Sequence, residues 1–588
     1  MLPFLGAFRH FMGLDLEPRE LPLNFDFPRI STQLKAGSGS AGKLMRDLRE
    51  ASDNPAEYFA VLLNVIKHLN RCAMKPGERL ALTRDTLNLF YPAALEQLVR
   101  QATGGGVPET DERKQVLSRV AEIAQLLGVS LQILFAGIYA GSNFKYARRQ
   151  ALLQECVSRI FDLMLLRQQA RALRYQLLED ADWRCVNTLF CVMSRYDNVH
   201  QARPTLQKQL GLGTGRAAVS WHDQFVQLHI AAKFDMLRWP THLQWVVSNY
   251  VYGVERAVTT RLSDQAQPGR NDLVAYCYAG RAASRLALKP APGPALLLDL
   301  SGLGEAIRKD CMGLMQAKRL RDAALLPPRF ARFPVTEHFV ISGQLLRGLA
   351  DAEPDAVAES ETSVEDLRIF VGFMEVFSLL RHKQGEFGGD ERLADVLAKR
   401  SALIAEDHTA TASSVWSLLV KNDSMVRLAT QESSFTTRMS IGSLLAYGVG
   451  EDINRPKVAV VARIHRPSNK QVVIDLHSLA DYAEPVLMTV NAAQQPANSP
   501  RVGKPALLLH DSAQRGSWQL MFQPQDVLPG VDQTAIHRKR QEVPIELESW
   551  RDATHDFHLY STLLSSAQLG ISGQPVYAAV AAPGQSTR

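Results

Sequence analysis

The chain has no CxxC pair and no recognisable Cys/His ligand pattern, which excludes the common zinc-ribbon, zinc-finger and dithiol redox motifs. Its six cysteines, at 72, 156, 185, 191, 277 and 311, read as buried apolar side chains in a reducing compartment. GxSxG, HExxH and GxxxxGK[ST] are missing too, so the local signatures of a hydrolase nucleophile, a zinc protease and a P-loop are absent. Charge of one sign is scarce: 66 Lys and Arg against 60 Asp and Glu leave +6 over 588 residues. That is too weak a field for a dedicated nucleic-acid binder, and no nucleic-acid partner is expected. The opening MLPFLGAFRHFMGLD has no Lys or Arg ahead of its apolar patch and no small-residue cleavage site, so a secretory signal is not expected. Uninterrupted apolar runs are also lacking. Ile123 to Phe144 carries no charge, but Gln125, Ser130, Gln132, Ser142, Asn143 and three glycines break it, which predicts a helix buried among helices and no stable membrane span. A cytoplasmic location follows as the expectation.

With 46% hydrophobic and 21% charged residues the chain lies in the globular range, and its length suggests about four domains. Phe59, Leu62, Leu63, Ile66 and Leu69 recur at helical spacing behind Asp53, Asn54 and Pro55, which supply cap and first turn. Lys75-Pro76-Gly77 and Thr103 to Pro108 punctuate the helices that follow. The pattern continues to Arg261 without a fixed repeat period, which predicts a helical scaffold over 50–265. Residues 266–410 read as a mixed region. LVAYCYAG, SRLALK and ALLLDLS predict short strands there, with helices at Leu303 to Ala324 and Val364 to Leu380. The acidic stretch Asp351 to Glu365 reads as a linker. Short Val/Ile/Leu runs at Val415 to Leu419, Met425 to Ala429, Leu444 to Gly448, Val458 to Ile464 and Gln471 to Leu476 predict a small antiparallel barrel over 413–490. A second β unit is expected over 505–565. The fold class is therefore α+β multidomain: helical N-terminal scaffold, mixed middle, small antiparallel β-barrel and a second β unit.

Among candidate sites, Gly211 to Gly215 lacks the preceding strand of a nucleotide loop and reads as a connection between helices. His222, Asp223 and His229 share a helix, but seven residues put the imidazoles two turns apart, too far for one ion; partly exposed helix histidines fit better. Trp183, Tyr196, Trp221, Trp239 and Trp245 read as core or hairpin-packing aromatics and not as a stacking platform for bases. Arg167, Arg171 and Arg174 fall at i, i+4 and i+7 on one helix face. That basic face suits phosphates, an acidic partner or anionic lipid, and equally suits ion pairs with neighbouring helices. No catalytic set and no metal set is recognisable, so no enzyme activity, cofactor or metal is expected.

Residues 413–490 resemble a PilZ-type domain, the small bacterial barrel associated with cyclic di-GMP sensing. Trp416 to Ser424 (WSLLVKNDS) resembles its first strand and turn, Met439 to Ala446 (MSIGSLLA) the next strand, and Val458 to Ile464 (VAVVARI) the strand ending in an Arg-containing turn. In that family an RxxxR stretch and [DN]xSxxG hold the dinucleotide, arginines clamping phosphate and guanine while a glycine-bearing polar turn lets the backbone approach. The resemblance implies Asn422 and Ser424 as base or phosphate contacts, Arg427 as a replacement cation, and Arg463 as a further contact. Two features depart from the family: Arg427 stands where glycine is usual, and no RxxxR lies between Arg381 and Trp416. What the resemblance implies is a cytoplasmic bacterial regulatory or adaptor protein with protein partners. It would be a cyclic di-GMP effector in control of motility, adhesion or biofilm formation. Two alternatives stay open: a scaffold that docks proteins without nucleotide, and an enzyme with an unrecognised site in the helical half.

Overall fold

The computed structural model describes residues 54–103, 111–140, 146–194, 218–254, 257–263, 271–285, 294–350, 367–384, 416–421, 425–437, 439–449, 456–468, 470–480, 482–490, 503–510, 518–524, 534–538 and 541–563, with the short pieces 23, 25, 203–204, 206 and 268–269. The chain forms two compact units, one of residues 1–358 with 463–472, the other of 359–462 with 473–588.

Among the described residues the first unit begins with the helices α1 (Pro55–Arg71), α2 (Pro76–Thr103), α3 (Asp111–Ala140), α4 (Tyr146–Ala172), α5 (Asp180–Met193), α6 (Trp221–Lys233) and α7 (Thr241–Val254). Sequence sets their ends. Asn54 Oδ1 accepts the Ala56 and Glu57 N–H groups at 3.0 and 3.3 Å, and Pro55 occupies the first turn. At α6, Ser220 Oγ accepts from Asp223 N at 3.0 Å while Asp223 Oδ2 accepts from Ser220 N at 3.3 Å, a reciprocal capping box. Helix α3 is long and apolar enough to cross a membrane by length and composition, yet Val120, Ile123, Leu127, Leu131 and Phe135 are buried in the core against α1, α2 and α4. All six cysteines are buried and unpaired by disulfide.

A pair of two-residue strands, β1 (Arg203–Pro204) and β2 (Ala218–Val219), precedes α6. Beyond α7, β3 (Thr259–Ser263), β4 (Asp272–Tyr276) and β5 (Ala295–Asp299) make a three-stranded antiparallel sheet in the order β3-β5-β4. Leu296 and Leu298 join the large helical core while Ala295 and Leu297 join a small satellite core, the two-residue alternation of a strand buried on both faces. Then follow α8 (Ser301–Leu320) and α9 (His338–Ala350).

In the second unit, β6 (Leu367–Val371) precedes α10 (Phe373–Gln384), so of Val364 to Leu380, read as helix from its periodicity, Leu367–Val371 is strand. The reason is tertiary: LRIFV pairs antiparallel with β9 (Leu444–Val449), whose backbone takes its hydrogen bonds. With β7 (Ser417–Lys421), β8 (Met425–Gln431), β10 (Lys457–Ser468) and β11 (Gln471–Ala480) these make a six-stranded sheet in the order β6-β9-β10-β11-β8-β7. Its two ends meet through one antiparallel bridge, Leu367 to Trp416, so the sheet curls nearly round on itself. Closure is complete only downstream. Strands β12 (Tyr482–Val490), β13 (Lys504–His510), β14 (Trp518–Phe522), β15 (Thr534–Arg538), β16 (Gln541–Ala553) and β17 (His558–Leu563) form a closed antiparallel barrel, β15 returning to β12. The residues of β12, placed by their pattern with the first β unit, thus pair with β13 and β15 of the second. Along β13, Ala506 and Leu508 fill the barrel while Leu507 and Leu509 pack with α10 residues Val376 and Phe377, which is why that strand is an unbroken apolar run.

Candidate functional site

Of the four residues proposed for ligand contact, Asn422 and Ser424 lie outside the described residues, between β7 and β8. Arg427 is on β8 in the second unit. Its guanidinium grips Asp475 of the neighbouring β11 in a bidentate pair, Nε to Oδ1 at 2.7 Å and Nη2 to Oδ2 at 3.0 Å, and both side chains are largely buried. Such a fork-to-fork pair is strong and directional, and it neutralises the cation in place. Arg463 belongs to the segment grouped with the first unit, where its Nε meets Asp235 Oδ2 at 2.7 Å, both side chains under a tenth exposed. Asp235 has left-handed backbone (φ 45°) and also takes Arg238 Nε at 3.2 Å. Arg427 and Arg463 thus fall in different units, each with its own carboxylate.

The basic face of α4 is not a solvated one. Arg167 is 2% exposed: its Nε meets Asp182 Oδ2 at 2.9 Å, its Nη1 donates to Ala121 O at 3.0 Å and Gln125 Oε1 at 2.9 Å, and its Nη2 lies 3.1 Å from Glu179 Oε2. Arg171 Nη1 pairs with Glu179 Oε1 at 2.8 Å, and Arg174, expected on the same helix face, lies buried in the turn beyond the end of α4, where it donates to Ser118 Oγ. One turn of α4 is therefore joined to the start of α5 and to the middle of α3. His222 and His229, expected to be partly exposed, are buried. His229 Nδ1 accepts the Ala283 N–H at 2.9 Å, its ring lies against Trp183 and Phe225, and burial pushes its pKa down to about 3. The aromatic residues of α5 and α6 and the backbone after β4 enclose these imidazoles, so a helical pattern alone does not show their burial.

A polar cluster unremarked by pattern reading sits in the second unit at the turn Ser440-Ile441-Gly442-Ser443. Its residues read as strand, but the strand starts at Leu444. His555 Nε2 lies 3.0 Å from Ser440 Oγ, 3.5 Å from Ser443 Oγ and 3.4 Å from Asp556 Oδ1, and Asp556 Oδ2 accepts the Leu444 N–H at 3.0 Å. Hydroxyls and carboxylate address the same imidazole nitrogen. A nucleophile–base–carboxylate relay needs the carboxylate on the other one, so the cluster is a hydrogen-bonding patch and not a serine nucleophile site. Its backbone depends on Gly442, at φ +87°, where a Cβ would come within 3.0 Å of Thr554 Cβ. Gly442→Ala is expected to cost about 2 kcal/mol through left-handed strain and that contact, read as a lower urea midpoint; an unchanged midpoint refutes the constraint. The Ser-x-Gly-Ser sequence, a turn signature, was the available signal.

A cavity of about 140 Å³ opens at the start of α8, lined by Asn271, Arg285, Ser301, Gly304, Glu305 and Arg308 among others. It is smaller than the roughly 300 Å³ at which drug-sized ligand sites begin. Among the described residues no group of three or more His, Cys, Asp or Glu stands together as a metal site.

No curated protein and no solved structure matches the chain. Residues 45–236, which span α1 to α6 and carry the Arg167 network and both buried histidines, match the family model described as the N-terminal domain of the cyclic-di-GMP receptor FimW.

Proposed function

We propose that the chain is a cyclic di-GMP-responsive regulatory protein that works by binding and not by catalysis. It would operate in the cytoplasm on protein partners that govern surface behaviour such as motility, adhesion or biofilm formation. One observation carries this reading: two separate stretches point to the same nucleotide. Residues 45–236 match a domain family of a cyclic di-GMP receptor, and 413–490 resemble the PilZ type by their own residues. In this reading Asn422 and Ser424, between β7 and β8 in sequence, contact base or phosphate. Arg427 exchanges Asp475 for a phosphate, for which its planar fork is equally suited.

The test is calorimetric titration of the full chain with cyclic di-GMP. Binding is expected, weakened about tenfold or more in Arg427→Ala and Ser424→Ala by loss of charge-assisted and hydroxyl hydrogen bonds. Asp475→Asn is expected to tighten it, because the guanidinium is then no longer neutralised. Absence of heat from a folded chain overturns the nucleotide reading. A protein-docking scaffold without nucleotide is the second reading, and the engagement of both Arg427 and Arg463 by buried carboxylates favours it.

A further inference from the structure

Exposed apolar surface is concentrated in one part of the first unit. Among the described residues ten large apolar side chains remain exposed, and seven lie between 312 and 346: Met312, Met315, Leu320, Leu325, Val335, Phe339 and Leu346. Met312 and Val335 keep about two thirds of their surface in water, at 67% and 68%. Single exposed apolar residues are ordinary on any protein, whereas a concentration marks an interaction surface.

Charge accumulates on the same stretch. Residues 301–350, from the start of α8 to the end of α9, hold eight Lys and Arg (308, 309, 318, 319, 321, 329, 332, 347) against four acids (305, 310, 322, 337), a local balance of +4 in a chain whose whole balance is +6. Three of these acids have partners of their own. Asp310 takes Arg329 Nε at 2.6 Å and the Tyr250 hydroxyl at 3.0 Å, Asp322 accepts the Ala324 N–H at 2.9 Å, and Glu337 meets His242 at 3.0 Å.

Helix geometry interleaves the two kinds of side chain. Arg308, Met312, Met315 and Arg319 recur at i, i+4, i+7 and i+11 on the outward face of α8, with Lys309 and Leu320 beside them, while Leu303, Ile307, Leu314 and Ala317 fill the opposite, buried face. Glu305 is the acid on that outward face. Helix α9 packs beside α8, and its exposed positions Phe339, Gly343, Leu346 and Arg347 form a second stripe on a helix with no acid at all.

We propose that this α8–α9 face binds the surface of an anionic phospholipid bilayer. Charge complementarity selects the occupant. Headgroup phosphates attract the cations, and the long Lys and Arg stems let their charged heads stay at the headgroups while Met312, Met315 and Leu320 enter the acyl boundary. Along one line of α8 Arg308 and Arg319 bracket Met312 and Met315, with Lys309 beside them, so cations flank the apolar pair at both ends. The association is peripheral and needs no spanning segment. It does not depend on the nucleotide reading, because none of these residues is among the proposed nucleotide contacts.

The probe is lipid vesicles mixed with the full chain and sedimented. Vesicles of phosphatidylcholine containing about 30 mol % phosphatidylglycerol are expected to carry the chain down, and pure phosphatidylcholine vesicles are not. Two triple variants dissect the face: Arg308→Glu with Lys309→Glu and Arg319→Glu, and Met312→Ser with Met315→Ser and Leu320→Ser. Each is expected to lower binding about tenfold or more, the first also losing its salt dependence. All six positions are exposed, so circular dichroism should show an unchanged fold. Failure of the native chain to sediment with anionic vesicles overturns the proposal. So does binding that both variants retain, or a native chain that is oligomeric in solution and becomes monomeric in the methionine variant without any vesicle binding, which would make a second copy the occupant.

Discussion

Arg167→Ala is expected to destabilise the helical part of the first unit by about 4 kcal/mol. The substitution removes a guanidinium that is 2% exposed and leaves Asp182, also 2% exposed, as an uncompensated buried charge. It also removes the donor that Nη1 supplies to Ala121 O and Gln125 Oε1, which ties α4 to α3. Glu179, half exposed at 49%, supplies a control. Glu179→Ala removes an ion-pair partner whose charge is screened by water, and its loss should stay below about 1 kcal/mol. Arg167→Met combined with Asp182→Asn is expected to recover part of the deficit. The amide oxygen still accepts the Glu179 N–H that Asp182 now holds at 3.0 Å, and no unpaired charge remains inside. Urea unfolding followed by circular dichroism reads all three. Equal losses for Arg167→Ala and Glu179→Ala would refute the assignment of Arg167 as the central buried cation of this bundle.

That arginine also marks where sequence reading stops. The i, i+4, i+7 spacing of Arg167, Arg171 and Arg174 is a local fact; Arg167 and Arg171 do lie on α4, whereas the helix ends at Ala172 and leaves Arg174 in the turn beyond it. Whether that face meets water or Glu179 and Asp182 depends on how α5 packs on α4, which no local spacing contains. The same division holds elsewhere. Helix α1 was legible to its cap because Asn54, Pro55 and the Phe59–Leu62–Ile66 stripe act within a few residues. The strands of the last third were legible because two-residue alternation and Val/Ile content are local. Their partners were not. Pairing of β12 with β13 and β15, and the recruitment of LRIFV to β9, are decided by edges that come together only in the fold. Of the candidate site, Arg427 and Arg463 were visible as cations. Asp475 and Asp235, which hold them, lie 48 and 228 residues away in sequence and gave no sign of it.

Acidification should weaken the first unit through His229 by about 2 kcal/mol between about pH 7 and about pH 5. The imidazole is fully buried between Trp183 and Phe225, ring centroids 5.0 and 4.4 Å away, and its Nδ1 is committed as acceptor to Ala283 N–H. With Nδ1 accepting, the proton sits on Nε2, which has no partner among the described residues. A second proton would have to enter an apolar site and break the Ala283 bond, so burial holds the pKa at about 3, against 6.5 in the unfolded chain. The sign follows from proton uptake. Below about pH 6.5 the unfolded chain binds a proton that the folded chain refuses, so the stability present above the unfolded pKa is lost as pH falls toward the folded one, by about 1.4 kcal/mol per unit at the steepest. Comparison with His229→Gln separates this contribution from that of every other group. Glutamine has an oxygen to accept from Ala283 and no titration in this window, so its stability should fall less across the range by about the stated amount. Parallel losses in the native chain and in His229→Gln would mean that the imidazole takes up a proton in the folded unit as readily as in water, and that the aromatic enclosure formed by α5 and α6 does not exclude charge.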